Sequence, residues 1–119
     1  MSNLYIETME KLRLYGKSVN DIVAIQGYEF AIDINEFLAL AKNTNYDDSF
    51  GVVHIATDLV IIGEDWWMER VEYDGAENWA FRQRPKIRTE VRSVSSLGGD
   101  VHSWPLMREF VSEEAGEEE

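Results

Sequence analysis

Trp66-Trp67-Met68-Glu69-Arg70-Val71-Glu72-Tyr73-Asp74-Gly75-Ala76-Glu77-Asn78-Trp79-Ala80-Phe81-Arg82-Gln83 is the stretch that decides the fold. Two runs rich in aromatic and β-branched residues flank Asp74-Gly75, a pair suited to a tight hairpin whose two central residues need positive φ. With a two-residue loop, Tyr73 pairs with Ala76 and the ladder runs outward to Trp66 opposite Gln83. One face then carries Trp66, Met68, Arg70 and Glu72 opposite Gln83, Phe81, Trp79 and Glu77. The other carries Trp67, Glu69, Val71 and Tyr73 opposite Arg82, Ala80, Asn78 and Ala76. The first stacks Trp66, Met68, Trp79 and Phe81 together and is the expected core side. The second sets Trp67 beside Arg82, a cation–π pair worth about 0.5–1 kcal/mol when exposed. A longer loop would swap the two faces.

Outward from the hairpin, Asp58–Ile62 reads as a preceding strand that ends at Gly63, so residues 58–83 form an antiparallel meander. Upstream, Leu4, Met9, Leu12 and Tyr15 recur near helical spacing, which predicts an amphipathic helix over 3–15 with Gly16 as its left-handed cap. Ile22–Ile25 and Tyr28–Ile32 predict a hairpin turning at Gln26-Gly27. Asp33 and Glu36 have capping-box spacing and open a second helix bearing Phe37, Leu38, Leu40 and Ala41, ending near Lys42-Asn43. Residues 44–49 read as a polar loop. After Pro85, the run Lys86–Val94 predicts an edge strand, and 95–100 a linker. Ser103 would cap a short helix holding Trp104, Met107 and Val111. The expected class is α+β: a β-meander and hairpins packed against two helices. The expected organisation is a domain over 1–94, a linker with a short helix over 95–112, and a disordered acidic tail over 113–119.

The chain has 119 residues, ample for one domain, and no cysteine, which excludes disulfides and thiolate metal sites. Its longest apolar run, Leu59–Ile62, is strand-sized, so no membrane is expected, and the N-terminus lacks a signal pattern. A cytoplasmic location is the expectation. Net charge is −12, unevenly spread. Residues 1–81 hold 15 acids against 5 bases, whereas residues 82–92 hold Arg82, Arg84, Lys86, Arg88 and Arg92 against Glu90 alone. Seven acids against Arg108 follow. Such a field disfavours direct nucleic-acid contact and favours a basic protein partner. The even-numbered bases would project from one side of an extended chain, as neutralisers of the protein's own carboxylates or as a dock for an acidic partner.

Catalytic constellations are not evident. His54 and Asp58 are four apart on a presumed strand, a spacing that does not converge two side chains on a metal. The acidic pairs Asp47-Asp48, Glu64-Asp65 and Glu69 with Glu72 suit carboxylate chemistry only if they converge, and 23 acids produce such pairs by composition alone. No nucleophile elbow or phosphate loop is present, so no cofactor is expected. Of the four tryptophans, adjacent Trp66 and Trp67 must point to opposite faces, and the one that leaves the core is a candidate interface anchor.

The segment Gly63-Glu64-Asp65-Trp66-Trp67-Met68-Glu69-Arg70, with Glu72-Tyr73-Asp74-Gly75-Ala76-Glu77-Asn78-Trp79 after it, resembles small acidic proteins of phages and prophages of Gram-positive bacteria. Those share a Trp-Trp-x-Glu-Arg, then Glu-Tyr-Asp-Gly pattern, and Glu36–Tyr46 fits the same group. The likeness spans about residues 12–86. Val71 stands where that group often has histidine, and Asn78 where it often has tryptophan. The resemblance implies a phage or mobile-element origin and carries no assigned activity. The leading expectation is therefore a non-enzymatic protein-binding factor, an inhibitor of a host nucleic-acid-binding defence protein whose carboxylates occupy a groove built for phosphates. Asp47, Asp48, Glu64, Asp65, Trp67, Asp74, Glu77, Arg82 and Arg84 are its expected contacts. The alternatives are a small carboxylate- or metal-dependent hydrolase using His54, and a homo-oligomeric accessory protein in which Trp67 and the Trp104 segment cover each other.

Overall fold

The structure, a computed structural model, describes residues 2–47, 54–73, 75–98 and 106–112. The chain divides into two compact units, 1–84 and 85–119.

The first unit is an antiparallel α+β fold. A short strand β1 (Ser2–Asn3) leads into α1 (Leu4–Leu14), where the Asn3 side chain caps by accepting from the Ile6 N–H at 3.0 Å. The helix closes as the Gly16 and Lys17 amides reach back to Arg13 and Leu12, and Gly16 takes the expected left-handed conformation at φ 73°. A 3-10 turn, Val19–Asp21, feeds strand β2 (Ala24–Gln26), which pairs with β3 (Ala31–Ile32). The second helix α2 (Ile34–Lys42) starts as expected, with the Asp33 carboxylate accepting from the Glu36 N–H at 3.0 Å. Strand β4 (Asn45–Tyr46) returns to β1, and the Leu4 amide bonds the Thr44 carbonyl, tying the start of α1 to the end of α2.

The main sheet adds β5 (Val60–Ile62), β6 (Trp66–Tyr73) and β7 (Ala76–Gln83), in the order β3-β2-β5-β6-β7. Its hairpin register is the one the sequence predicts, from Tyr73 opposite Ala76 to Trp66 opposite Gln83. Gly75 supplies the positive φ, 87°, that the turn requires. Asp74 lies outside the described residues. Register also places Ile32, Ile25, Ile61, Met68 and Phe81 in one row across all five strands. That face meets Leu4, Leu12, Phe37 and Ala41 of the helices, with Trp66 and Trp79 buried among them, and this is the core.

Besides β4, which forms inside the expected loop over 44–49, four expectations are corrected. The first hairpin turns through residues 27–30 and not at Gln26-Gly27 alone, with the Gly27 amide bonding the Phe30 carbonyl at 2.9 Å. The reason is Asp58, whose carboxylate accepts from the Tyr28 N–H at 2.8 Å and props the loop open. Asp58 is thus a turn residue, and β5 begins only at Val60.

The other two corrections concern the second unit. Residues 86–93 form no strand, and Ile87 and Val91 are almost wholly exposed. A run whose charges outnumber its apolar residues gains too little from burial to hold a register. Val94 instead makes an isolated antiparallel bridge to Val111, reinforced by the Ser95 and Ser112 amides bonding Phe110 and Ser93. The described part of the expected C-terminal helix is a 3-10 turn, Met107–Phe110, because Glu109 turns back to accept from the Leu106 N–H. Ser103, Trp104 and residues 113–119 lie outside the described residues.

Candidate functional site

Two places concentrate polar and aromatic groups in the first unit, on opposite faces of the main sheet. On the core face, β6 aims Arg70 inward, directly opposite Trp79 of β7. Its guanidinium lies 4.8 Å from the Trp79 ring centroid and 5.7 Å from that of Tyr46, two aromatic contacts that suit a planar cation. It pairs with Glu77 at 3.1 Å and Glu7 at 3.4 Å, and Tyr46 bonds both Arg70 and Glu7. Arg70 and Glu77 are each almost fully buried. Glu77 also accepts from the backbone amides of His54 and Ile55, at 2.7 and 3.2 Å, so one carboxylate pins the segment leading to β5. Burial, and then the hydrogen bond to Glu7, push the Tyr46 hydroxyl up to about 12. Burial acts to lower Arg70, but the Tyr46 hydrogen bond and the charges around it outweigh that and hold it above its ordinary value. Apart from Arg70 Nε, which is buried without a partner among the described residues, these groups are engaged by one another, so removing any one of them strands a buried charge. Glu77 is accordingly removed from the expected contact surface: it is 4% exposed.

The face away from the helices is different. Ala24, Ile62, Trp67 and Arg82 align in one row across β2, β5, β6 and β7, and Gln26, Val60, Glu69 and Ala80 in the next. The side chains from Ala24 to Trp67 and from Gln26 to Ala80 are only half-buried. A groove of about 520 Å³ crosses these rows, walled by Tyr28, Asp58, Val60, Trp67 and Glu69. Tyr28 is 89% exposed there. The expected pairing of Trp67 with Arg82 is mediated by a third residue. Glu69 accepts from the Trp67 indole N–H at 2.9 Å and from Arg82 at 3.3 Å, which fixes the indole on the surface.

The remaining expected contacts scatter. Glu64 and Asp65 are exposed in the β5–β6 turn, where the Arg84 amide bonds the Asp65 carbonyl, so Glu64, Asp65, Arg84, Arg82 and Trp67 share one end of the sheet. Asp47 is exposed after β4, at a separate place in the fold, and Asp48 lies outside the described residues. His54 and Asp58 do not converge as metal ligands: the first contributes its backbone amide to Glu77 and the second its carboxylate to Tyr28. Among the described residues no group of three metal-ligating side chains comes together, and no helix is long and apolar enough to cross a membrane. Sequence reasoning missed the groove's Tyr28 and Asp58, whose only signal was an aromatic beside a turn glycine.

Comparison with known proteins finds no match to this chain among family profiles, curated proteins or solved structures.

Proposed function

We propose that this protein is a non-enzymatic binding factor that acts by stoichiometric contact with a basic protein surface, through the face of the main sheet that the helices leave open. The observation that carries the reading is the half-buried apolar row that ends in Trp67, whose indole is fixed by Glu69, with Tyr28 walling the same groove. Aromatic anchors on a rigid sheet, ringed by charge, are where binding energy concentrates. Charge chooses the partner. Residues 1–81 carry ten more acids than bases, so steering favours a cationic surface such as the phosphate-binding groove of a nucleic-acid enzyme. The likeness of the meander to phage-encoded proteins supports a host defence enzyme as the owner of that groove.

The test is affinity capture from a Gram-positive bacterial lysate with the wild type, Trp67→Lys, and a variant combining Glu64→Gln, Asp65→Asn and Asp58→Asn. The expected result is a captured protein in one-to-one ratio that duplex DNA displaces and that both variants lose. Identical captures by all three chains, or retention in the presence of duplex DNA, overturn the reading.

A further inference from the structure

The groove on the outer face has a chemistry that names what enters it, an inference that rests on the reading of this face as the contact surface. Its side-chain charges are all of one sign. Asp58 and Glu69 wall it, together with the rings of Tyr28 and Trp67. Arg70 borders it as well, but through its main chain. The residue is half-buried while its side chain is 3% exposed and pairs with Glu7 and Glu77 on the core face. Arg82 is not one of the groove's walls, and it pairs with Glu69 at 3.3 Å, so the charge of Glu69 is already shared. Asp58 is the carboxylate without a cation.

Asp58 is half-buried, and among the described residues no Lys, Arg or His lies within ion-pair distance of it. Its Oδ2 accepts from the Tyr28 amide at 2.8 Å, and no donor among the described residues reaches Oδ1. The group is also held in place. A Cβ on Gly27 would lie 2.5 Å from Oδ2 and 3.3 Å from Oδ1, so a glycine is what lets the carboxylate settle against the loop. An Asn at this position would accept the same Tyr28 bond, so the turn needs one oxygen and no charge. The charge, half out of water, is left to be explained. The aromatic walls are as firmly placed. Glu69 holds the Trp67 indole N–H at 2.9 Å, and Tyr28, 89% exposed, has its amide tied to Asp58. Aromatic faces beside an uncompensated carboxylate attract a cation that lies flat on a ring while donating to an oxygen. A guanidinium does both, being planar with its donors in a fork, whereas an ammonium is a point charge without a face. At about 520 Å³ the groove falls within the roughly 300–1,000 Å³ of clefts that take small ligands, room for the side chain and the main chain that bears it.

We propose that the outer-face groove is an arginine-binding pocket. A guanidinium from the partner protein lies against the Trp67 and Tyr28 rings and donates to Asp58 Oδ1, while Glu69 stays with Trp67 and Arg82. The apolar row supplies contact area, and the pocket supplies the choice of residue. A neutral side chain of the same shape is rejected, because it would cover Asp58 without pairing it.

The probe is a capped pentapeptide with Arg at its centre and Ser and Gly to either side, added to the full chain and followed by NMR. Matching peptides carry citrulline, neutral and of the same shape, or Lys. Saturable shifts of the Trp67 indole N–H and the Tyr28 amide are expected, with citrulline binding roughly tenfold more weakly and Lys several-fold. Asp58→Asn keeps the Tyr28 bond and the melting temperature, and should weaken the Arg peptide about tenfold. Tyr28→Leu, at an exposed position, keeps an apolar side chain but no ring face, and should weaken it roughly two- to fivefold. No binding, equal binding of the citrulline or Lys peptide, or full affinity in either variant would overturn the proposal. So would Trp67 shifts that grow with protein concentration before any peptide is added, alongside a dimer in light scattering, which would give the groove to a second copy. The captured partner separates this pocket from the reading beneath it. If Trp67→Lys loses that partner and Asp58→Asn alone keeps it, the open face is the contact surface and the arginine pocket is wrong. If neither substitution matters, both fall.

Discussion

Arg70 faces the core beside two carboxylates, and the stability of the fold hinges on that arrangement. Its side chain is 3% exposed and its partner Glu77 4%. Replacing it with methionine fills the space but strands Glu77 next to Trp79, and breaking a buried pair in this way costs about 3–5 kcal/mol. Chemical denaturation of Arg70→Met should show that loss, and Arg70→Met combined with Glu77→Gln should recover part of it. Tyr46 gives the same cluster a pH signature. Its folded pKa of about 12 stands above the ordinary 10.0, so the stability it contributes is intact below pH 10 and is lost as pH rises toward 12. Melting temperatures of the wild type should therefore fall more steeply across that alkaline window than those of Tyr46→Phe, and the phenolate absorbance should appear late. Thr8 is a quieter case: fully buried, it accepts from the Trp79 indole and donates to the Leu4 carbonyl. Thr8→Val leaves a buried indole N–H unpaired and should cost about 1–3 kcal/mol.

At the scale of elements, the β5–β6 turn shows how one glycine positions a strand. A Cβ on Gly63 would lie 2.0 Å from Cε2 of the Trp66 indole, and Gly63 also donates its amide to the Trp66 carbonyl at 2.8 Å. Gly63→Ala must push Trp66 out of the core, and overpacking of this kind costs about 1–3 kcal/mol, readable as an earlier thermal transition. The hairpin itself was legible without a structure. Asp74-Gly75 set the loop length, the loop set the register, and the register told Trp66, Met68 and Trp79 from Trp67. It also placed Arg70 and Glu77 on the core side, but nothing local announced that Glu7 and Tyr46 would meet them. Those contacts join residues 63 and 24 positions away from Arg70, and sequence periodicity carries no information about such pairings. The segment after Pro85 failed for the opposite reason. Its alternation of base and apolar residue looks like a strand, but an edge strand is held by burying its apolar side chains, and Ile87 and Val91 stay almost wholly exposed.

For the whole molecule, the helices close one side of the sheet and spend the buried charges on themselves, while the other side keeps Trp67, Tyr28 and a groove open. The net charge of −12 then acts as a long-range filter on what approaches that face. Association with a basic partner should accordingly slow as salt is raised, since the Debye length shrinks from about 10 Å at 0.1 M to about 3 Å at 1 M. Dissociation, governed by the apolar row, should change far less. The measurement that bears most directly on the binding role is the equilibrium affinity of the captured partner for the wild type and for Trp67→Lys, with the two chains matched in melting temperature. A roughly tenfold or greater loss is predicted, because Trp67 is the anchor of the open face. Equal affinity of the two chains would contradict it.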